Sequence, residues 1–164
     1  MPPDKPSLKT ADRRPLTEMG MLPHLIGFNL RLAQLSVFQH FSATVGGNGI
    51  SVPQFGTLLL IEANKDVSQS AIAEALRFDR STLVQIIDRL EGRGLVERHV
   101  SPTDRRTHAL RLTDAGREVL TELKDQALSH EDEVAAALDA EERRQFITLL
   151  KKIHSGGRPG TATN

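Results

Sequence analysis

Between positions 24 and 45, Leu25, Phe28, Leu32, Leu35, Phe38 and Phe41 recur at three- and four-residue steps, the spacing of one face of an α-helix. Ile26, Leu30 and Val37 widen that face beyond what a single neighbour covers. Pro23 suits a first helical turn, so the pattern predicts a helix from His24 to Val45. Gly46-Gly47-Asn48-Gly49 breaks it. Ser51 and Gln54 then have the spacing of a capping box, opening a core helix through Phe55, Leu58, Leu59 and Ile61.

The next stretch changes character. Ser68 is a suitable cap for a short helix to Leu76, with Ile72, Ala75 and Leu76 expected to point inward, and Arg77-Phe78 makes a turn. Asp79 caps a second helix running to Arg93. Its apolar set, Leu83, Ile86, Ile87 and Leu90, leaves Ser81, Gln85 and Asp88 on the opposite face, flanked by Arg80, Thr82, Val84 and Arg89. Gly94 supplies a left-handed stop. Leu95–Val100 and Thr107–Leu112 then read as two strands around Ser101-Pro102-Thr103-Asp104-Arg105-Arg106.

Thr113 opens a long helix through Val119, Leu120, Leu123, Ala127 and Leu128 toward Leu138, and Asp139 with Glu142 caps a last one. Phe146, Leu149, Leu150 and Ile153 repeat the helical spacing close to the end of the chain, where a monomer has little to set against them. A partner subunit is the simplest cover. The architecture expected is mainly α with a small β-wing: a winged helix-turn-helix at about 50–113, with N- and C-terminal dimerisation helices at about 22–46 and 114–154. The folded unit spans 19–154, between a flexible arm at 1–18 and a disordered tail at 155–164. The arm holds four prolines with Lys5, Lys9, Arg13 and Arg14, a composition that buries little and reads either as a leader or as a contact for DNA or a second subunit.

Composition narrows the function classes. The 164 residues suffice for one folded domain, and the absence of cysteine removes disulfide frameworks, thiolate zinc sites and thiol redox switches. No long apolar run or secretion-signal layout is present, so no membrane and a cytoplasmic location are expected. The formal net charge is zero, but its distribution is uneven. Residues 67–117 carry nine arginines against seven carboxylates, whereas 118–145 carry three basic residues against nine acidic ones. The cations gather where the helix pair and wing lie; the acidic stretch reads as a solvated face, or as one that keeps the rest of the molecule off phosphates.

A helix of this kind enters a major groove, and a narrow basic ribbon reaches an adjacent minor groove, so the segment reads as a reader of double-stranded DNA. Ser68, Arg80, Ser81, Thr82, Gln85 and Arg89 are the candidate contacts on the helix pair, and Asp104, Arg105 and Arg106 those in the wing. Asp88 is a poor phosphate neighbour and suits an ion pair with an arginine. Arg98 and Arg111, on the strands, suit backbone or carboxylate partners.

Leu90-Glu91, Gly94-Leu95-Val96-Glu97-Arg98, Asp104-Arg105-Arg106, Leu110-Arg111-Leu112-Thr113 and Gly116-Arg117 together resemble the recurring pattern of MarR-type winged helix-turn-helix transcriptional regulators. The likeness extends over roughly Leu22 to Ile153 and looks closest to regulators of aromatic-acid degradation. It implies a homodimer joined by its first and last helices, a pseudo-palindromic operator, and a small-molecule effector that relieves repression. It also implies that Asp104 and Arg106 pair to stiffen the wing tip. Effectors in such regulators bind between the dimerisation helices and the DNA-binding lobe, which makes His24, Phe28, Arg31 and His40 the ligand candidates. An arginine with aromatic neighbours suits an aromatic carboxylate or its coenzyme A (CoA) thioester. Core packing of the phenylalanine and solvation of the histidines account for the same residues equally well. No cofactor and no metal site are expected.

Two other classes compete. A winged helix also serves as a protein-interaction module without operator binding. Catalysis has little to stand on: His130-Glu131-Asp132-Glu133-Val134 places Val134 where a zinc helix needs its second histidine, and Gly49-Ile50-Ser51-Val52-Pro53 lacks the closing glycine of a nucleophile elbow.

Overall fold

The computed structural model describes residues 18–100 and 108–156. The arm at 1–17, the wing tip at 101–107 and the tail after 156 lie outside the described residues. Two units are resolved by their internal packing, Met1–Leu35 and Ser36–Asn164, with the boundary inside α1 (Ile26–Thr44).

In the first unit, Leu22–His24 form a single 3-10 turn that contains Pro23, and Leu25 is extended at φ −87° and ψ 127° before α1 begins. His24 therefore precedes the first helix rather than lying on it. Asn29 bridges the break: its side-chain amide donates to the Pro23 carbonyl at 2.9 Å, which a continuous helix would pair through its backbone, and to the Leu25 carbonyl at 2.8 Å, which also accepts the Asn29 backbone amide. Phe28 and Leu30 are half-buried, while Leu25, Ile26, Leu32 and Leu35 remain exposed.

In the second unit, the remainder of α1 buries Phe41, with Val45 buried just past its end. The glycine run folds as a 3-10 turn at Gly46–Asn48 and leaves through Gly49 at φ +70°. Helix α2 (Val52–Ala63) starts in the expected capping box: the Ser51 amide donates to Gln54 Oε1 at 2.8 Å and the Gln54 amide to Ser51 Oγ at 3.5 Å. Its Leu58 and Ile61 enter a core shared with Ile72, Leu83, Ile87 and Leu120. Burying each such side chain contributes roughly 1.5–3 kcal/mol.

Helices α3 (Gln69–Leu76) and α4 (Arg80–Gly92) form the expected pair, and Arg77 at φ +56° makes the left-handed turn between them. In α3 the inward set is Ile72, Ala73 and half-buried Leu76; Ala75 faces solvent. One turn of helix separates Ala73 from Arg77, whose left-handed cap draws its N–H and that of Phe78 back to the last carbonyls, and this closes the helix over Ala73.

The sheet has three strands where two were expected. β1 (Val67–Ser68) joins β2 (Val96–Val100) and β3 (His108–Leu112) in the antiparallel order β1-β3-β2, with Val67 opposite Leu110 and Val96 opposite Leu112. Two residues are too short for an alternating pattern to register. Helix α5 (Asp114–Val134) is capped by Thr113 and stops four residues before Leu138. Ala135 and Ala136, good helix formers, lie instead in a turn, after which Asp139 caps α6 (Ala140–Gly156). Its Oδ1 accepts from the amides of Glu141 at 2.7 Å and Glu142 at 2.9 Å, and the Asp139 amide donates in return to a Glu142 carboxylate oxygen at 2.9 Å. α6 carries two residues, Ser155 and Gly156, that glycine content assigns to the tail. None of the helices among the described residues is long and apolar enough to cross a membrane.

Candidate nucleic-acid interface

Helix α4 is two-faced. Leu83, Ile86, Ile87 and Leu90 are buried, which fixes its rotation, and Arg80, Ser81, Thr82, Gln85, Asp88 and Arg89 are exposed on the other side. All five residues proposed on this helix as contacts therefore lie where a groove could receive them. Ser68 differs: it is half-buried, and its hydroxyl is occupied in capping α3, with Ala71 N–H at 3.2 Å and Ser70 Oγ at 3.0 Å. Beside it, Ser68, Ser70, Arg80, Leu83, Val84 and His108 border a cleft of ≈ 230 Å³ between the start of α3, the first turn of α4 and β3.

The first turn of α4 is built around Asp79. One carboxylate oxygen accepts from Ser81 Oγ at 2.6 Å and from the Thr82 amide at 2.7 Å, and the other accepts from Thr82 Oγ1 at 2.7 Å. The Ser81 hydroxyl, followed by the Thr82 amide and hydroxyl, holds this carboxyl far below the usual carboxylate range. Sequence reasoning found Asp79 as a cap and missed its hold on both hydroxyls. The signal was present in the spacing, since Ser and Thr two and three residues after a cap aspartate are within its reach.

Asp88 pairs with Arg98 on β2 at 2.5 Å, and Arg98 also holds Glu91. The other strand arginine, Arg111, holds Asp66 at 2.5 Å. That ion pair draws the Asp66 carboxyl below its ordinary value and pushes the Arg111 guanidinium up, and it steadies Asp66 in a left-handed turn at φ +57°. Both arginines thus have carboxylate partners, as their positions suggested. Asp104, Arg105 and Arg106 lie outside the described residues.

Of the ligand candidates, His24 and Arg31 are exposed and Phe28 half-buried in the first unit. In the second unit, His40 is engaged. Its Nδ1 lies 2.7 Å from Nδ1 of His130 on α5, and its Nε2 lies 3.1 Å from a Glu133 carboxylate oxygen. His130 is buried, with the edge of the Phe41 ring against it, and burial followed by the nearby His40 pushes its pKa below the ordinary value. Its role was overlooked because it was considered only as a metal ligand. Its place three residues after Ala127 and seven after Leu123 marks it as facing the core. Among the described residues no group of three or more His, Cys, Asp or Glu is placed to hold a metal ion.

Comparison with known proteins adds to this geometry. Residues 48–107 match a model described as MarR family. A protein of Thauera aromatica named for the transcriptional regulation of the hcr operon is 35% identical over 136 residues, 82% of each chain. Among solved structures, the transcriptional repressor CouR bound to a 23-mer DNA duplex is 40% identical, with a TM-score of 0.80 over 84% of this chain and 97% of that one. CouR bound to p-coumaroyl-CoA is 38% identical, with a TM-score of 0.79 over 85% and 98%. The PcaV regulator of Streptomyces coelicolor, in complex with its natural ligand, is 26% identical, with a TM-score of 0.78 over 87% and 100%.

Proposed function

This chain belongs to the MarR family, and from that premise we propose that it acts as a dimeric, sequence-specific transcriptional repressor, released from a pseudo-palindromic operator by a small aromatic carboxylate or its CoA thioester. The observation that carries the reading is α4. An apolar face sunk in the core presents Arg80, Ser81, Thr82, Gln85 and Arg89 together to solvent, in a chain 40% identical to a repressor whose structure is bound to duplex DNA. A polar face of that width fits a major groove about 12 Å wide. Two-fold pairing sets two such helices about 34 to 36 Å apart, the spacing of successive major-groove entries on one side of the duplex.

Exposed apolar side chains on the last helix, including Phe146, Leu149 and Ile153, support the dimer. Arg105 and Arg106 are assigned to the minor groove, whose negative potential attracts arginine, with Asp104 holding one of them. The effector class is supported by the ligands of CouR and PcaV. For effector contact we carry forward Phe28, Arg31 and His24 in the first unit and, separately, His40. The site of action is the cytoplasm, and no catalytic step is assigned.

The test is fluorescence anisotropy on the intergenic DNA upstream of the protein's own gene, across a salt series, with hydroxycinnamic and benzoic acids and their CoA thioesters. Tight binding that falls linearly in log salt and is abolished by one compound is the expected outcome. Absence of specific binding at moderate salt would overturn the operator reading in favour of a protein-interaction module.

A further inference from the structure

A hydroxyl has one proton to donate and two lone pairs to accept with, whereas an ionised carboxylate can only accept. At the start of α4 this settles the polarity of two hydroxyls. Ser81 and Thr82 lie 2.6 and 2.7 Å from the Asp79 carboxylate, within the range of charge-assisted O–H···O⁻ bonds, so each has committed its only proton inward. The third bond to this carboxylate, from the Thr82 amide at 2.7 Å, holds it in place as the helix cap. All three side chains are exposed, and what the two hydroxyls offer outward is lone pairs.

Lone pairs select their partner. Phosphate oxygens, guanine O6 and N7 and thymine O4 are acceptors and cannot bond to them; the major-groove donors are the adenine N6 and cytosine N4 amino groups. A carboxylate at the same turn further disfavours phosphate. We propose that Asp79 is a specificity-determining residue that acts through Ser81 and Thr82: by holding their protons it makes both acceptor-only contacts, so the base each one meets is the adenine or cytosine of its pair, through the amino group, rather than the guanine or thymine, and the orientation of that pair in the half-site is fixed. The proposal rests on the reading of α4 as the base-reading helix and deepens it. Arg80, next in sequence and exposed, is left to serve the phosphates.

Selection from a DNA pool randomised across the half-sites tests it, using the full-length wild type, S81A, T82V and D79N. Asparagine keeps the cap, but its amide nitrogen donates, so in D79N the Thr82 proton is released and Thr82 can bond to an acceptor. S81A and T82V identify the positions each hydroxyl reads. The wild type is expected to prefer one orientation of the base pair there by roughly tenfold, about one hydrogen bond, and D79N to lose or reverse that preference at the Thr82 position, with guanine or thymine replacing adenine or cytosine on the same strand. If D79N does not fold by circular dichroism, the amino group of the selected pair is removed, with purine in adenine's position or 2-pyrimidinone in cytosine's. Affinity then falls roughly tenfold for wild type and stays unchanged for T82V.

The proposal is overturned if no position responds to S81A or T82V, if D79N keeps the wild-type profile, or if removing the amino group of the selected pair is without effect. In each of these cases other positions are still selected, and the operator reading stands. If the wild type selects no sequence at all, base reading by α4 fails and the proposal with it.

Discussion

Gly116 stands so close to Leu95 that a Cβ added to it would lie 2.0 Å from the Leu95 carbonyl oxygen. The approach joins the start of α5 to the turn between α4 and β2. Thr113 completes the junction: its amide donates to that same carbonyl at 3.1 Å, its hydroxyl donates to the Gly94 carbonyl at 2.6 Å, and the hydroxyl oxygen accepts from the Gly116 amide at 2.9 Å. The long helix is thereby clamped to the turn that ends α4.

Gly116→Ala forces these two backbones apart, and backbone cannot yield as a flexible side chain does. The expected cost is about 2–3 kcal/mol, the range of overpacked positions. It is measured as a shift in the urea unfolding midpoint. A change below about 0.5 kcal/mol, the level of an ordinary surface substitution, would show that the junction is looser than its geometry.

The order and character of the elements were largely legible in the sequence because each signal is local. Ser51, Asp79, Thr113 and Asp139 all cap where their spacing to the next helix placed them. What sequence could not supply was tertiary. Val67–Ser68 becomes a strand only because β3 runs alongside it, and Ala135 and Ala136, good helix formers, lie in the turn between α5 and α6. At the site, the exposed face of α4 follows from periodicity. The His40–His130 contact joins residues ninety positions apart, and no pattern within either helix announces it.

Arg98 neutralises two carboxylates of α4, Asp88 and Glu91, from the neighbouring strand. Arg98→Ala leaves both uncompensated on the element proposed to approach DNA. Operator affinity is expected to fall about three- to tenfold at low salt, and the loss to shrink as salt screens it. Folding stability should change by less than about 1 kcal/mol, because both carboxylates keep substantial access to water. Anisotropy titrations of Arg98→Ala, Asp88→Ala and the double variant test this. If Asp88→Ala restores none of the lost affinity, repulsion by Asp88 is not the cause.

The proposed dimer makes a separate claim about α6. Phe146 is 44% and Leu149 48% exposed in the single chain, and Leu138 and Glu142 border the same shallow depression. Leu149→Asp would bring a charge into an apolar interface, so sedimentation should show monomer at concentrations where wild type is dimeric, with operator binding weakened at least tenfold through loss of the paired half-site. Unchanged sedimentation would remove this face of α6 from the interface.

His130 makes stability depend on pH with a definite sign. The 2.7 Å Nδ1–Nδ1 contact with His40 holds one proton between the two nitrogens, and placing one on each would break it. Burial and then His40 lower the His130 pKa from 6.5, against the opposing pull of Glu131 and Glu133. The unfolded chain therefore binds a proton at this residue before the folded chain does. The stability it contributes is complete above about pH 6.5 and is lost as pH falls toward the lowered folded value. Urea midpoints measured between pH 7.5 and 5.5 should fall for the wild type. Other groups titrate in the same window, so the comparison that isolates His130 is with His130→Asn, which keeps a polar group facing His40 but has no proton to gain. Its midpoints should be lower than wild type at pH 7.5 and less steep with pH. Equal slopes for the two proteins would mean that the buried histidine carries its proton unhindered, and that its contact with His40 is not the packed, singly protonated pair the distance describes.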